Sequence, residues 1–195
     1  MDESVMSVVG ARTGHFQLES GHHGELWLDL DGMFASPMAL TLLVEELAER
    51  VEPYRVDVVC GPLVGGALLA QSVAGLLGTG FAYTERVSAG TGELYSAQYR
   101  MPGSLAKRLA RRRVAVVDDA INAGSATRAT VREVEAAGGQ VAVLAAMLTL
   151  GPIPARYAAE AGLPLEAVAT FDNAIWPPAD CPRCAAGEPL LTGRE

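Results

Sequence analysis

With 195 residues, 50% of them hydrophobic and 19% charged, the chain is long enough for one α/β domain with a full core and somewhat short for two. That composition excludes a disordered chain. A formal net charge of -8 argues against a broad nucleic-acid surface, because counterion release needs clustered cations.

Met1 to Met6 lack the basic and apolar regions of a secretory signal, which points to a cytoplasmic protein with no membrane attachment. His22 and His23 read as an exposed loop with one ligand contact, since adjacent side chains rarely converge on a metal. The spacing predicts a helix over 36–50, with Ser36 as N-cap, Pro37 at the first helical position and an apolar stripe of Leu40, Leu43, Val44 and Leu47. A strand is expected over 56–60, then Gly61-Pro62-Leu63-Val64-Gly65-Gly66 and a helix to Leu77. No charge occurs between Asp57 and Glu85, but Pro62 and several glycines favour strand, loop and helix over a membrane span.

Further strands are expected over 80–84, 94–99, 113–117, 141–148 and 166–170. A helix is expected over 125–137, closed by Gly138 and Gly139. Lys107, Arg108, Arg111, Arg112 and Arg113 read as a solvated helix face, and Lys107 is the chain's one lysine. Trp176-Pro177-Pro178 suggests an extended segment docking its aromatic on the body or on a second subunit. Cys181-Pro182-Arg183-Cys184 is half of a zinc site, with no second cysteine pair in the chain to complete it unless Cys60 or a second subunit contributes, or else part of a conformational tail. Three cysteines are too few for a disulfide framework, which fits a reducing compartment.

Strands separated by helices imply a Rossmann-like, mostly parallel sheet with helices on both faces, in one domain with a core over about 36–170 and a tail over 171–195. Ligands of such sheets gather outside the carboxyl ends of the strands. Asp118 and Asp119 end the Val114 to Val117 strand. Two adjacent carboxylates there need hydroxyl donors, a cation or solvent, and a sugar diol supplies the hydroxyls. Ala120, Ile121, Asn122, Ala123, Gly124, Ser125, Ala126 and Thr127 then lead into a helix, so backbone amides can converge on an anion, with Ser125 and Thr127 as added donors. Together they describe a socket for ribose 5-phosphate.

Residues 114–127 resemble the phosphoribosyl diphosphate signature of type I phosphoribosyltransferases, and Gly61 to Gly66 resembles that family's pyrophosphate loop. Asn122 and Ala123 stand where the commonest form has Thr-Thr or Ala-Thr. Phe16-Gln17-Leu18-Glu19-Ser20-Gly21, followed by Leu26 to Asp29, is similar to the base-contacting hood of orotate phosphoribosyltransferases, with Glu19 where that pattern has lysine. Tyr83 to Ala89 matches the lysine-rich catalytic loop only in Arg86. The resemblance implies the type I fold plus an N-terminal hood (about residues 1–35), a homodimer, Mg2+ bridging the substrate, and transfer from phosphoribosyl diphosphate to a nucleobase, in pyrimidine nucleotide biosynthesis if the base is orotate. It assigns Asp118, Asp119 and Arg86 to catalysis and Phe16, Glu19, Ser20 and Gly21 to the base. A purine or other base, or a non-catalytic module that binds phosphoribosyl diphosphate or a nucleotide, are the alternatives.

Overall fold

The computed structural model describes residues 3–18, 21–88 and 98–192. The chain opens with α1 (Glu3–Val8), the hairpin β1 (Arg12–Gln17) and β2 (His23–Trp27), and a short α2 (Leu30–Met33) capped by Asp29, whose Oδ1 accepts from the Gly32 N–H at 2.9 Å. Next come α3 (Pro37–Val51), β3 (Val58–Pro62), α4 (Gly65–Leu77), β4 (Gly80–Ser88), β5 (Gln98–Arg100), α5 (Gly103–Ala106), β6 (Arg113–Ile121), α6 (Ser125–Ala136), β7 (Gln140–Leu150), α7 (Ile153–Ala161) and β8 (Leu165–Phe171). The tail adds β9 (Ile175–Trp176), α8 (Pro182–Ala185) and β10 (Leu191–Thr192).

Six strands form the main sheet in the order β5-β4-β3-β6-β7-β8, parallel except for β5. Side chains alternate between faces along a strand. Val114 and Val116 therefore pack with Val131 and Val134 of α6, whereas Ala115 and Val117 pack with Leu47 of α3 and Leu69 and Val73 of α4. Both faces of β6 are covered, which is why it reads as an unbroken apolar run. The stripe predicted on α3 is the buried one, and Leu47 is fully enclosed. Truncating Leu47 to alanine would cost about 2–5 kcal/mol.

The apolar stretch before Glu85 folds as β3, α4 and β4, and among the described residues no helix is long and apolar enough to cross a membrane. Of the strand expected over 94–99, only the end falls in β5, and residues 89–97 lie outside the described part. The basic run is not a helix face. α5 stops at Ala106, Arg111 takes a left-handed φ of 62°, and the run is a turn pinned where Arg113 Nη2 donates to the Tyr54 carbonyl at 2.9 Å. α7 was not anticipated, because Pro152 and Pro154 at its start mask a short alanine-rich helix.

A second sheet has the order β10-β1-β2-β9. Its centre is the N-terminal hairpin, and its edges come from the tail: β10 runs parallel to β1, and β9 antiparallel to β2. The two ends of the chain thus build one hood, and Trp176 docks beside His23.

Candidate functional site

β3 and β6 are neighbours in the middle of the main sheet and end at the same edge. Their loops therefore meet. The acidic pair lies within β6, since pairing with β7 continues to Ile121 and Thr149. Both carboxylates reach the start of α4, where Asp118 also takes the Thr127 hydroxyl of α6 and the two side chains hydrogen-bond to each other.

The glycines of the first loop make this approach possible. A Cβ at Gly65 would fall on the Asp119 carboxylate, and one at Gly66 would lie 2.7 Å from Asp118 Oδ1. Only glycine lets the backbone come so close. Between Pro62 and Gly65, Leu63 and Val64 are exposed and joined by a cis peptide, and the Leu63 N–H donates to the Thr84 carbonyl at 2.8 Å.

Asp118 is almost completely enclosed. Burial first, and then the charge of Asp119, hold its carboxyl well above the ordinary range, against the lowering effect of the Thr127 hydroxyl. Burial also raises Asp119, opposed by the Ala120 N–H that donates to its Oδ1 at 2.7 Å, while Asp31 adds a further negative charge. Such a pair is under-supplied with donors, and a diol, a cation or both would relieve it.

Asn122, Ala123 and Gly124 are half-buried and link β6 to α6, with Gly124 as N-cap at a left-handed φ of 76°. No side chain caps α6, so the amides of its first turn face the loop as an anion site would require. Ser125 opens the helix at this edge. Thr127 departs from the expectation: it is fully buried and gives its hydroxyl to Asp118 Oδ2 at 2.9 Å, so it positions the acid instead of a phosphate.

The remaining expected residues are more scattered. Arg86 is exposed on β4, two residues beyond Thr84, the residue that pairs with the last residue of β3, and its backbone pairs with Tyr99. Phe16 is buried in the hood, with Trp27 at 6.0 Å between ring centroids and the Arg12 guanidinium 5.7 Å from its ring. It is hood core here, not an open base platform. Gly21 takes φ 79° in the hairpin turn, where its N–H donates to the Leu18 carbonyl, while Glu19 and Ser20 lie outside the described residues. His23 is not exposed: it is buried in β2, beside His15, Cys181 and Cys184.

Two residues near the acids were missed. The Phe34 ring would lie 3.0 Å from a Cβ at Gly65, and the Asp31 charge acts on Asp119. Both come from the segment that joins the hood to α3, and no local pattern marks them.

A family model described as "Phosphoribosyl transferase domain" matches residues 35–161. Orotate phosphoribosyltransferase of Caldanaerobacter subterraneus subsp. tengcongensis is 31% identical over 180 residues, which are 91% of this chain and 87% of that protein. Orotate phosphoribosyltransferase of Nitratiruptor sp. is 32% identical over 194 residues, 92% of this chain and 91% of that one. Among solved structures, orotate phosphoribosyltransferase from Aeropyrum pernix aligns with TM-score 0.69 at 23% identity, over 88% of this chain and 94% of that one. Adenine phosphoribosyltransferase from Thermoanaerobacter pseudethanolicus aligns with TM-score 0.70 at 21% identity, over 88% of this chain and 100% of that one.

Proposed function

Because this chain belongs to the phosphoribosyltransferase family and is an enzyme of that glycosyltransferase class, we propose that it transfers the phosphoribosyl group of phosphoribosyl diphosphate to orotate, giving orotidine 5'-phosphate and diphosphate. The observation that carries the donor half is the meeting of the Gly65-Gly66 backbone with Asp118 and Asp119 at one sheet edge. Support for orotate comes from the sequence relatives. The fold alone is neutral, since an orotate enzyme and an adenine enzyme align almost equally well, at 0.69 and 0.70.

In this reading the anomeric C–O bond breaks with its electron pair leaving on diphosphate, while a nitrogen of the base supplies the pair for the new C–N bond. Positive charge grows on the sugar between the two events. Asp118 and Asp119 accept hydrogen bonds from the ribose hydroxyls and hold the ring in line. The amides of residues 121–125 receive the 5-phosphate, and those of residues 63–66 the diphosphate. Arg86, the cation nearest the end of β4, meets leaving-group charge. Catalysis is then positional and electrostatic. Mg2+, which prefers substrate oxygens and water to an all-protein cage, fits beside a carboxylate pair short of donors and would neutralise diphosphate there. A homodimer is supported by Met38 and Leu42, which lie one turn apart on α3 and are both strongly exposed.

The test is diphosphate release from phosphoribosyl diphosphate and Mg2+ with orotate, uracil, adenine, hypoxanthine or xanthine as acceptor. Orotate should give the largest kcat/KM. Glu19 stands where the orotate-enzyme pattern has a lysine, and a carboxylate in that role would repel that of orotate, so Glu19→Lys should raise orotate turnover further. Faster turnover of a purine, or donor binding with no diphosphate released for any base, would overturn the reading.

A further inference from the structure

We propose that His15, His23, Cys181 and Cys184 bind a structural zinc ion that fastens the C-terminal tail to the N-terminal hood. The four ligand atoms all lie within 4.8 Å of one another. His15 Nε2 is 3.2 Å from His23 Nδ1, 3.4 Å from Cys181 Sγ and 3.7 Å from Cys184 Sγ, and Cys184 Sγ is 3.2 Å from His23 Nδ1. A zinc tetrahedron with Zn–N of about 2.0–2.1 Å and Zn–S of about 2.3 Å has edges of about 3.3 Å between nitrogens and about 3.5 Å between nitrogen and sulfur. These four spacings lie close to those edges, and the two edges from Cys181 Sγ to His23 and to Cys184 are within 4.8 Å.

Hydrogen-bond geometry points the same way. His15 Nδ1 lies 3.0 Å from the Glu188 carbonyl oxygen, a partner that can only accept, so Nδ1 donates to it. Nε2 is the ring nitrogen turned toward the other three groups. Three heteroatoms crowd it, and one hydrogen bond would satisfy only one of them, whereas a cation at the centre engages all four groups. A metal-bound histidine characteristically gives its other N–H to a carbonyl in this way.

The architecture explains the use. β9 and β10 are only two residues each, and among the described residues no apolar side chain after Phe171 joins the two main cores. Strands that short do not hold by ladder bonds alone, and small units with little core depend on a staple. Cys181-Pro182-Arg183-Cys184 lies between them and meets histidines from both β1 and β2. Arg183 orients this knuckle through Glu188 at 2.6 Å and Glu25 of β2 at 3.4 Å. Two thiolates and two imidazoles suit zinc over Mg2+, and four protein ligands leave no open position, so the site is structural and separate from the acidic pair.

The full-length protein, expressed with zinc and dialysed, should carry one Zn2+ per chain by mass spectrometry of its metals. Cys184→Ser, at an exposed residue, should lower that at least tenfold. His23 is buried, and its truncation could unfold the hood, so a second measurement uses the wild-type sequence. Co2+ added to chelator-treated, reduced protein should give tetrahedral d–d bands and a thiolate-to-cobalt charge-transfer band, both bleached by Zn2+. Chelation should also speed hydrogen exchange in β1, β2, β9 and β10 but not in β6 or α6. Folded wild type with less than a tenth of a zinc per chain and no thiolate-to-cobalt band, or full zinc retained by Cys184→Ser, would overturn the proposal. None of these readouts depends on turnover.

Discussion

Thr127, in the first turn of α6, gives its hydroxyl to Asp118 Oδ2 at 2.9 Å, and both residues are buried. The bond ties the helix that opens the phosphate loop to the strand that carries the acids. It also lowers the Asp118 pKa, against burial and the neighbouring charge of Asp119, which raise it.

Thr127→Val keeps the side-chain shape and deletes that donor. Leaving a buried carboxyl short of a partner should cost about 1–3 kcal/mol, read from the urea midpoint. Because the lost bond had lowered the pKa, Asp118 will hold its proton to higher pH. Affinity for phosphoribosyl diphosphate, taken as needing the ionised acid, should therefore fall off at a higher pH than in wild type. A binding profile that does not move would show that Thr127 plays no part in tuning the acid.

Asp118→Asn combined with Asp119→Asn should abolish phosphoribosyl diphosphate binding in calorimetry with Mg2+ and yet stabilise the ligand-free protein. Both carboxyls sit above the ordinary value of 3.8, so between that value and their raised ones the folded state binds more protons than the unfolded. Their contribution to stability is full below 3.8 and is lost as pH rises through the raised values. Removing the charges removes that loss, a gain of about 1–2 kcal/mol at neutral pH. It should appear as roughly 2–4 °C in Tm per kcal/mol. The gain should shrink when the melts are repeated near pH 4. Unchanged affinity would sink the site assignment.

Gly65→Ala tests the other loop. The new methyl would occupy the place of the Asp119 carboxylate, so either the loop or the acid must move. A displacement of that size at a positioned group should lower kcat/KM for phosphoribosyl diphosphate about 100-fold. Circular dichroism should be unchanged, since the start of α4 is at the sheet edge. Normal kinetics would mean that Asp119 need not sit against this backbone.

Much of the core could be read from local pattern. The stripe on α3, the apolar run of β6 and the left-handed glycine after α6 are consequences of neighbouring residues, with periods set by backbone geometry. The proposed donor site could be marked out for the same reason, because its acids, loop and helix start form one continuous stretch from Val114 to Thr127. Even there, sequence misjudged Thr127, since which way a hydroxyl turns depends on the strand behind it.

What only the tertiary structure decided is how distant segments meet. No periodicity brings Gly65 to Asp119, or Asp31 and Phe34 to the same edge; the order of the strands does. Nor could Cys181 and Cys184 be completed from their own neighbourhood, and the further ligands expected were Cys60 or a second subunit. Their partners, His15 and His23, arrive because β9 and β10 close on either side of the N-terminal hairpin. Local sequence sets what each segment forms, while pairing across more than 150 positions is set by which edges are left open when the segments collapse.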